Sequence, residues 1–427
     1  MSVLLLFGTM IALLALGVPV AFSMGLAAFA TIIYDGLPAE VVFQRLSSGM
    51  NIYSLLAIPF FIYAGELMLY GGIAERLVNF AMTLVGRFRG GLAQVNILSS
   101  TLFGGISGSA VADASALGSI LIPSMSKRGY DTHYAVNVST SAALIGIMIP
   151  PSHNMIIYSL AAGGGISIIA LFTAGILPGL LMSGLLMLVA GILAVRRNYP
   201  REAFPGWAAV GISFLAAIPG LGLAVIILVG VRMGVFTVTE SAAIGALYAL
   251  IITAFVYRSL SLKDLKRATM NAVRTTAMVM LVIGTGNSIG WLLALHQLPM
   301  HAIELLGHFS KEPWAVLLII NVILLALGCV MDMAPLILIC TPIFLPVAKA
   351  MGMDPVHFGM VLMINLGLGL LTPPVGAVMF VGCAIGQITI EESMKSVLPF
   401  YLALLIALII VTYVPGFSLW LPHLLRV

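Results

Sequence analysis

The chain has 427 residues, of which 61% are hydrophobic and only 8% are charged. A soluble globular protein carries roughly a quarter charged residues, so this composition excludes a water-soluble domain. Without water to satisfy the backbone, such a chain must form helices or a closed barrel. Long unbroken apolar stretches, such as 169–195 and 397–413, exclude the short alternating strands of a barrel. The sequence therefore predicts an all-α, polytopic membrane protein.

The segment 2–30 has no basic start and no small-residue cleavage site, so we expect a first membrane span and not a removable signal peptide. Cys329, Cys340 and Cys383 lie in apolar stretches without CxxC spacing. They are expected to be buried small side chains, with neither a disulfide framework nor a metal site. The net charge of +4 requires no nucleic-acid partner, because the basic residues are explained by membrane topology.

Nine full crossings are predicted from the apolar stretches, over 3–34, 54–70, 133–162, 170–194, 208–230, 238–257, 275–295, 357–387 and 396–421. Two further apolar segments, 92–127 and 314–347, are predicted to be re-entrant helical hairpins. The first is interrupted at Gly104-Gly105 and at 107–109, and the second at Gly328, Asp332 and Pro335. A pair of ordinary kinked spans is the alternative, which would change the number of crossings but not the class.

The distribution of basic residues predicts the orientation. With the N-terminus in the cytoplasm, fourteen of the 19 Lys and Arg residues lie on the cytoplasmic side, as the positive-inside rule requires. The remaining five lie outside: Arg45, Arg232, Lys311, Lys349 and Arg426. This orientation places the C-terminus in the periplasm. It also makes the two hairpins enter the membrane from opposite faces.

An internal repeat appears when the sequence is shifted by 223 residues. The shift superposes Pro123 on Pro346, Gly129 on Gly352, Asp131 on Asp354, Pro150-Pro151 on Pro373-Pro374 and Gly163 on Gly386. Shared membrane composition is the alternative explanation, but it accounts poorly for a matched double proline. We predict two inverted repeats, 1–195 and 207–427, joined by a basic cytoplasmic linker at 196–206. Transporters built this way bind their substrates near the midplane, at discontinuous helices.

Each repeat contains a double proline inside an apolar segment, and these are predicted to be broken helices over 133–162 and 357–387. Proline removes a backbone donor and disrupts the preceding turn, which frees carbonyl groups just before Pro150 and Pro373. Such carbonyls suit a hard cation. The half-helix after each double proline offers free N–H groups that suit an anionic carboxylate. Proline kinks that serve packing alone are the alternative.

Few titratable residues lie within the apolar segments, and an intramembrane carboxylate is a functional candidate by default. Asp332, at the second hairpin tip, is the first candidate for contact with a ligand. Asp113 is as well suited to bracing the first hairpin as to binding. Glu66 and Glu240 lie near predicted span ends, which favours simple hydration. His153 has two open interpretations, a contact with substrate or a structural histidine.

Several enzyme and pump classes are excluded by missing motifs. No Gly-rich loop is followed by Lys-Ser or Lys-Thr, so the chain has no ATP-binding P-loop. The sequence has no HExxH or paired intramembrane Asp motif of a membrane protease. Transport driven by an ion gradient remains, and neither an enzymatic activity nor a cofactor is expected.

At these residues the sequence resembles the large membrane subunit of the TRAP transporters, the tripartite ATP-independent periplasmic carriers. The resemblance covers essentially the whole chain. It rests on LAIPFF at 56–61, AGE at 64–66, SGSAVAD at 107–113, IPPS at 149–152 and TPPVG at 372–376. His153-Asn154 departs from the pattern, because apolar residues are more usual after the first Pro-Pro-Ser. That departure leaves the substrate open.

The resemblance implies sodium-coupled uptake of a small carboxylate, such as a dicarboxylate, sialic acid or another sugar acid, by an elevator mechanism. Two hairpins and two broken helices would slide against a scaffold of the remaining spans. A small four-helix membrane subunit and a periplasmic substrate-binding protein are the implied partners. The implied substrate contacts are Ser107, Ser109, Ser152 and Asp332. The implied sodium contacts are Ser107, Gly108, Gly146, Ile149, Pro150, Met331, Gly369, Thr372 and Gly376.

Two alternatives to this function remain at the level of sequence. A stand-alone ion-coupled anion carrier of the same inverted-repeat architecture would need no binding protein. A membrane enzyme or a channel belongs to a different class, and measurable turnover of a substrate in detergent would favour the enzyme. The sequence does not name the carboxylate.

Overall fold

The computed structural model describes residues 1–309 and 312–426, without the side chains of Ile106 and Phe309. Lys311, counted above among the periplasmic basic residues, lies outside the described residues. Every regular element in the described ranges is helical, which confirms the all-α fold class. Seven of the described helices are long and apolar enough to span a membrane, and Thr132–Met148 with His153–Ala161 forms a span bent by 52°.

The N-terminal segment differs from the prediction of one crossing over 3–34. It forms two helices, α1 (Ser2–Ala15) and α2 (Val20–Tyr34), which pack against each other. Gly17, at φ +82°, and Pro19, which precedes α2, turn the chain back. The Ser2 hydroxyl then donates a 2.6 Å hydrogen bond to the Asp35 carboxylate. The two ends of this segment therefore lie on the same side of the helix bundle and not on opposite sides.

The rest of the first half contains the elements that form the first predicted hairpin and broken helix. The amphipathic α3 (Glu40–Met50) is followed by the spanning α4 (Ala57–Tyr70) and the amphipathic α5 (Ile73–Val85). The first hairpin consists of α6 (Gly91–Ser107) and α7 (Ala110–Lys127). The broken helix consists of α8 (Thr132–Ala143), α9 (Ile145–Met148) and α10 (His153–Ala161), and the long α11 (Ile168–Arg196) ends this half.

The second half likewise has a hairpin, a broken helix and a long helix in that order, but four α-helices precede them instead of five and one more follows. The spanning helices are α12 (Trp207–Arg232), α13 (Val238–Ile251, continued by a π-helical turn over Ile252–Val256) and α14 (Leu262–Leu295). After α15 (Leu298–Phe309), the second hairpin consists of α16 (Pro313–Gly328) and α17 (Met333–Ala350). The broken helix consists of α18 (Pro355–Gly369) and α19 (Ala377–Gly386). The chain ends with α20 (Ile390–Tyr413) and α21 (Gly416–Leu425).

Two helix bounds differ from the predictions. The helix expected over 275–295 begins at Leu262, because the Ser261 hydroxyl caps a polar extension that lies outside the apolar stretch. The crossing expected over 396–421 ends at Tyr413, where the chain turns at Pro415 into α21. The crossings predicted over 54–70, 170–194, 208–230 and 238–257 match observed spanning helices.

Residues that the sequence repeat paired have matching structural roles. Asp131 and Asp354 are the N-caps of α8 and α18, and each carboxylate accepts hydrogen bonds from two backbone N–H groups. Gly129 and Gly352 precede these caps with φ near +80° (+83° and +80°), a conformation that glycine adopts without strain. The repeat therefore encodes equivalent turns between each hairpin and the broken helix that follows it. The exact repeat boundaries stay a prediction.

Each hairpin approaches its neighbouring broken helix at a pair of glycines. A Cβ added to Gly104 would lie 2.5 Å from the Cα of Gly146, and a Cβ added to Gly369 would lie 2.5 Å from the Cα of Gly328. These separations are too short for any side chain. Only glycine therefore permits the backbones of hairpin and broken helix to touch in both halves.

The helices form two packing groups. In the hairpin group, α6–α11 pack with α16–α21, and in the scaffold group, α1–α4 pack with α12–α14, while α5 and α15 contact both groups. The long helices α11 and α20 belong to the hairpin group, although the sequence placed them in the scaffold. For example, the Tyr134 hydroxyl of α8 donates to the Ala190 carbonyl of α11, and Thr101 of α6 bonds to Ser183 of α11. The groups meet where α4 contacts α6 and α10, and where α14 contacts α17.

Candidate functional site

A cavity of about 500 Å³ lies where both hairpin tips and α10 face the scaffold helices α4 and α14. Its size is within the range of small-molecule sites. The polar lining residues come from both packing groups: Glu66, Tyr70, Ser107, Ser109, Ser115, His153, Asn154, Asn271, Thr275 and Asp332. The fold therefore brings together two hairpin tips, one broken helix and two scaffold helices that are far apart in sequence.

The first hairpin tip, over 107–109, contributes two of the predicted substrate contacts. Ser107 ends α6, Gly108 adopts φ +60°, and Ser109 is the N-cap of α7, whose side chain accepts a hydrogen bond from the Ala112 N–H. Both serines line the cavity. A Cβ on Gly108 would lie 2.5 Å from the Pro151 carbonyl oxygen, so this tip rests directly on the break of the first broken helix.

Asp113 lies between the first hairpin and the broken helix. Its side chain is 1% exposed, and one carboxylate oxygen accepts a hydrogen bond from the Ser107 hydroxyl. The other oxygen, Oδ2, has no hydrogen-bond partner within the described part of the chain. It lies so close to Gly146 that a Cβ there would be 2.1 Å away. A buried carboxylate oxygen of this kind is costly unless a partner binds it.

The break of the first broken helix contains Ile149, Pro150 and Ser152. Ile149 and Pro150 lie beside Gly105 of the first hairpin, with the Pro150 carbonyl oxygen 3.3 Å from where a Gly105 Cβ would be. Ser152 is fully buried, and its hydroxyl has no partner in the described chain. It is not among the residues that line the cavity, whereas His153 and Asn154 directly after it are. The lining of the cavity at this break therefore begins one residue after Ser152, the predicted substrate contact.

Asp332 and Met331 form the second hairpin tip. Asp332 is the N-cap of α17, where its carboxylate accepts a 2.8 Å hydrogen bond from the Met333 N–H. It lines the same cavity as Ser107 and Ser109. Met331 is 6% exposed and packs into the core behind the tip. The two predicted hairpin tips therefore face one cavity from the two halves of the chain.

The second broken helix leaves fewer free carbonyls than its double proline predicts. The Gly369 carbonyl accepts a 2.9 Å hydrogen bond from the Thr372 N–H, and the Leu370 carbonyl accepts from the N–H of Val378. The Thr372 hydroxyl donates to the Leu368 carbonyl at 2.9 Å. Gly376 starts α19 with φ +37°. Local hydrogen bonds already occupy these carbonyl oxygens. A cation could therefore bind only to the lone pairs that these hydrogen bonds leave unused.

This second break contacts the second hairpin tip directly. The Val375 N–H donates a 3.1 Å hydrogen bond to the Cys329 carbonyl. Apart from Leu370, the break does not line the cavity. The predicted sodium contacts thus divide into two clusters, one at each meeting of a hairpin tip and a broken helix. In each cluster, the chain brings carbonyls and hydroxyls together.

The scaffold wall of the cavity contains Glu66, for which the sequence favoured simple hydration near a span end. Its carboxylate accepts a long hydrogen bond of 3.4 Å from the Asn271 amide. The same amide donates a hydrogen bond of 3.1 Å to the Tyr70 hydroxyl. Glu66 lines the cavity, a position that the sequence did not predict for it. Glu240 is exposed and forms a capping box with Thr237, which agrees with its predicted place at a hydrated span end.

The positive potential in the cavity comes from helix ends and not from cationic side chains. The N-termini of α7, α10 and α17 all reach it, through Ala110–Ala112, His153–Asn154 and Met333–Ala334. No Lys or Arg is among its described lining residues. Helix N-termini carry partial positive charge and free N–H groups, which together bind anions. The arrangement can therefore hold a small anion without a salt bridge.

A polytopic helical membrane protein with an anion-suited cavity between two packing groups belongs to the class of membrane transport proteins. Comparison with known proteins identifies the family. Residues 7–417 match the family model of the tripartite ATP-independent periplasmic transporters, DctM component. The chain belongs to this family, and it is the large membrane subunit of a TRAP transporter, a multi-pass protein of the inner membrane.

Relatives match along the whole chain. YgiK of Salmonella typhimurium is 44% identical over 99% of this chain and 97% of its own length. The C4-dicarboxylate TRAP transporter large permease protein of Rhodobacter capsulatus is 36% identical over the full length of both chains. The 2,3-diketo-L-gulonate TRAP transporter large permease protein of Escherichia coli is 36% identical over 97% of each.

The fold also resembles a solved transporter. The crystal structure of the YdaH transporter of Alcanivorax borkumensis superposes with a TM-score of 0.61 over 88% of this chain and 87% of the other. The sequences are 13% identical, so this likeness concerns the fold alone.

Proposed function

We propose that the chain carries a small organic carboxylate into the cell in a sodium-coupled TRAP system. The observation that supports this most is the convergence of three helix N-termini on a cavity whose described lining contains no cationic side chain. Relatives of similar identity are named for a C4-dicarboxylate and for a diketogulonate, so family membership supports an organic acid without choosing one. Ser107, Ser109 and Asp332 are the proposed substrate contacts, and Ser152 lies buried at the break behind them.

Sodium is proposed to bind where each hairpin tip meets a broken helix. Ser107, Gly108, Gly146, Ile149 and Pro150 would form the first site, to which the structure suggests adding Asp113. Its unpartnered carboxylate oxygen faces Gly146, and a hard cation takes oxygen ligands of this kind. The second site would use Met331, Gly369, Thr372 and Gly376, at the break that bonds to the second hairpin tip.

The proposed movement is an elevator motion of the hairpin group against the scaffold group. The cavity lies on the boundary between the two groups, so substrate bound to the hairpin tips also faces Glu66 and Asn271 of the scaffold. The chain passes between the groups at α5, at the linker 197–206 and at α15. During this movement, the substrate would keep its contacts with the hairpin tips and lose its contacts with the scaffold helices.

Two partners are proposed: a small four-helix membrane subunit and a periplasmic substrate-binding protein. The orientation proposed from charge needs one change. Because Ser2 bonds to Asp35, the N-terminus lies on the same side as the loop before α4, which the basic residues place in the periplasm. We therefore propose a periplasmic N-terminus as well as a periplasmic C-terminus. Reporter fusions at both ends test this, and a cytoplasmic N-terminal reporter would contradict it.

Uptake into proteoliposomes tests the function. The chain is reconstituted with its small subunit, and the cognate binding protein is supplied outside with its radiolabelled ligand. An inward sodium gradient should drive uptake, whereas a proton gradient without sodium should not. Equal uptake with either gradient would overturn sodium coupling. Omitting the binding protein is the second arm, since undiminished uptake would favour a stand-alone carrier.

A further inference from the structure

The three helix N-termini at the cavity differ in how much of their positive charge is already compensated. The first turn of α7 contains Asp113, and α17 is capped by the Asp332 carboxylate. By contrast, α10 has no acidic residue in its first turn and no side-chain cap. A carboxylate at a helix N-terminus balances the partial charge there. Only α10 therefore offers an uncompensated N-terminus to an anion.

A second observation at the same helix end points to a ligand. The Asn154 side chain is 5% exposed and lines the cavity. Among the residues that the structure describes, it has no hydrogen-bond partner. An amide that lines a cavity without a partner in the described chain has its donor and acceptor atoms free, so this amide is suited to a polar group that arrives with the substrate. Because an amide both donates and accepts, it matches a hydroxyl group better than a second carboxylate.

The rest of the cavity disfavours a second negative charge. Glu66 faces the cavity from the scaffold and Asp332 from the second hairpin tip, and no Lys or Arg is among the described lining residues to offset them. Both carboxylates accept hydrogen bonds, as substrate hydroxyls require. Tyr70, Asn271 and Thr275 add further groups that can bond to hydroxyls.

We propose that the substrate is a monocarboxylate with several hydroxyl groups, whose carboxylate binds the N-terminus of α10 and whose neighbouring hydroxyl bonds to Asn154. This inference rests on the proposed function and narrows its substrate class. Asn154 is then a specificity-determining residue, and His153 beside it completes the polar surface around the carboxylate. The relatives named for a C4-dicarboxylate and a diketogulonate leave both classes open, so the choice depends on the cavity.

Four six-carbon acids test the proposal on the purified complex of this chain with its small subunit, in sodium buffer. Gluconate has one carboxylate and five hydroxyls, glucarate two carboxylates and four hydroxyls, hexanoate one carboxylate alone, and adipate two carboxylates alone. Apparent affinities come from the dependence of thermal stabilisation on acid concentration. Gluconate should bind about tenfold tighter than each of the other three.

The Asn154→Leu variant should bind gluconate about fivefold to tenfold more weakly, as expected for the loss of one or two neutral hydrogen bonds, and should bind hexanoate unchanged. Asn79→Leu is the matched control, because Asn79 is exposed on α5. If Asn154→Leu does not fold, the relative affinities of the four acids for the unaltered complex still show whether the preferred substrate has one carboxylate or two.

Three results would overturn the proposal. Adipate or glucarate binding as tightly as gluconate refutes a single carboxylate. Hexanoate binding as tightly as gluconate, or an unchanged affinity in folded Asn154→Leu, refutes recognition of the hydroxyl. Failure of all four acids to stabilise the complex also refutes the inferred class, whereas the proposed function is judged separately by sodium-driven uptake with the cognate binding protein.

Discussion

Replacing Gly104 with alanine should separate the first hairpin from the broken helix behind it. The added Cβ would lie 2.5 Å from the Cα of Gly146, whereas carbon atoms in contact are normally about 3.5–4.0 Å apart. The obstacle is backbone and not the end of a flexible side chain, so the hairpin must move by roughly 1 Å to relieve the overlap. Asp113 and Ser107 on the same hairpin would move with it.

The magnitude follows from overpacking, which costs about 1–3 kcal/mol in a well-packed core. We expect Gly104→Ala to lower the thermal stability modestly and to raise the sodium concentration for half-maximal uptake at least about tenfold, since about 1.4 kcal/mol of lost binding free energy corresponds to that factor. The assay is uptake into proteoliposomes over a sodium titration, corrected for the amount of reconstituted protein.

Gly118→Ala is the matched control on the same hairpin. A Cβ there meets only the ends of Ile122 and Ile385 side chains at 3.4 Å, an ordinary contact. It should leave the sodium dependence unchanged. The reasoning is refuted if Gly104→Ala and Gly118→Ala require the same sodium concentration as the unaltered protein.

Three further predictions concern single residues. Asp332→Asn should reduce uptake at least about tenfold, because a hydrogen bond to a charged group is worth about 1.5–3 kcal/mol, and near-normal uptake in a folded variant would remove Asp332 from the site. Glu66→Gln should alter uptake more than Glu240→Gln, since only Glu66 lines the cavity; equal rates for the two variants would contradict this placement. At Asp35, burial raises the carboxyl pKa, but hydrogen bonds from Ser2 and His296 outweigh it and leave the pKa below its usual value. A lowered pKa stabilises the folded state above the unfolded-state pKa of about 4, and this stabilisation is lost as the pH falls through the folded-state value. Thermal unfolding should therefore show an advantage over Asp35→Asn at pH 6 that shrinks as the pH falls below about 4; an advantage that stays constant as the pH is lowered would refute the pairing.

Features that depend on neighbouring residues in the chain were predictable from the sequence. The lengths of the apolar stretches set the helical, membrane-spanning class, because a bilayer of about 30 Å needs roughly 20 apolar residues per crossing. The double prolines interrupt helices through their own geometry, and both breaks are present at the predicted places. The hairpin turns at Gly108 and Asp332 follow equally local signals, a glycine at positive φ and an N-capping carboxylate.

The N-terminal hairpin shows where local signals were insufficient. The stretch 3–34 has enough apolar residues for one crossing. Gly17 and Pro19 do not interrupt its apolar character, so the stretch looks like a single span in the sequence. What decides between one kinked span and two packed helices is the contact of α1 with α2 and of α2 with α14. The contact of α2 with α14 is formed by residues far apart in the chain.

For the same reason, only part of the candidate site could be predicted from the sequence. The hairpin tips and the free helix ends could be predicted from the sequence, since each depends on a few adjacent residues. Tertiary structure alone decided that Glu66 faces the cavity, that the free oxygen of Asp113 meets Gly146, and that α7, α10 and α17 converge there. Burial and charge compensation depend on what the rest of the fold places opposite a residue, and that information lies in no single stretch of the chain.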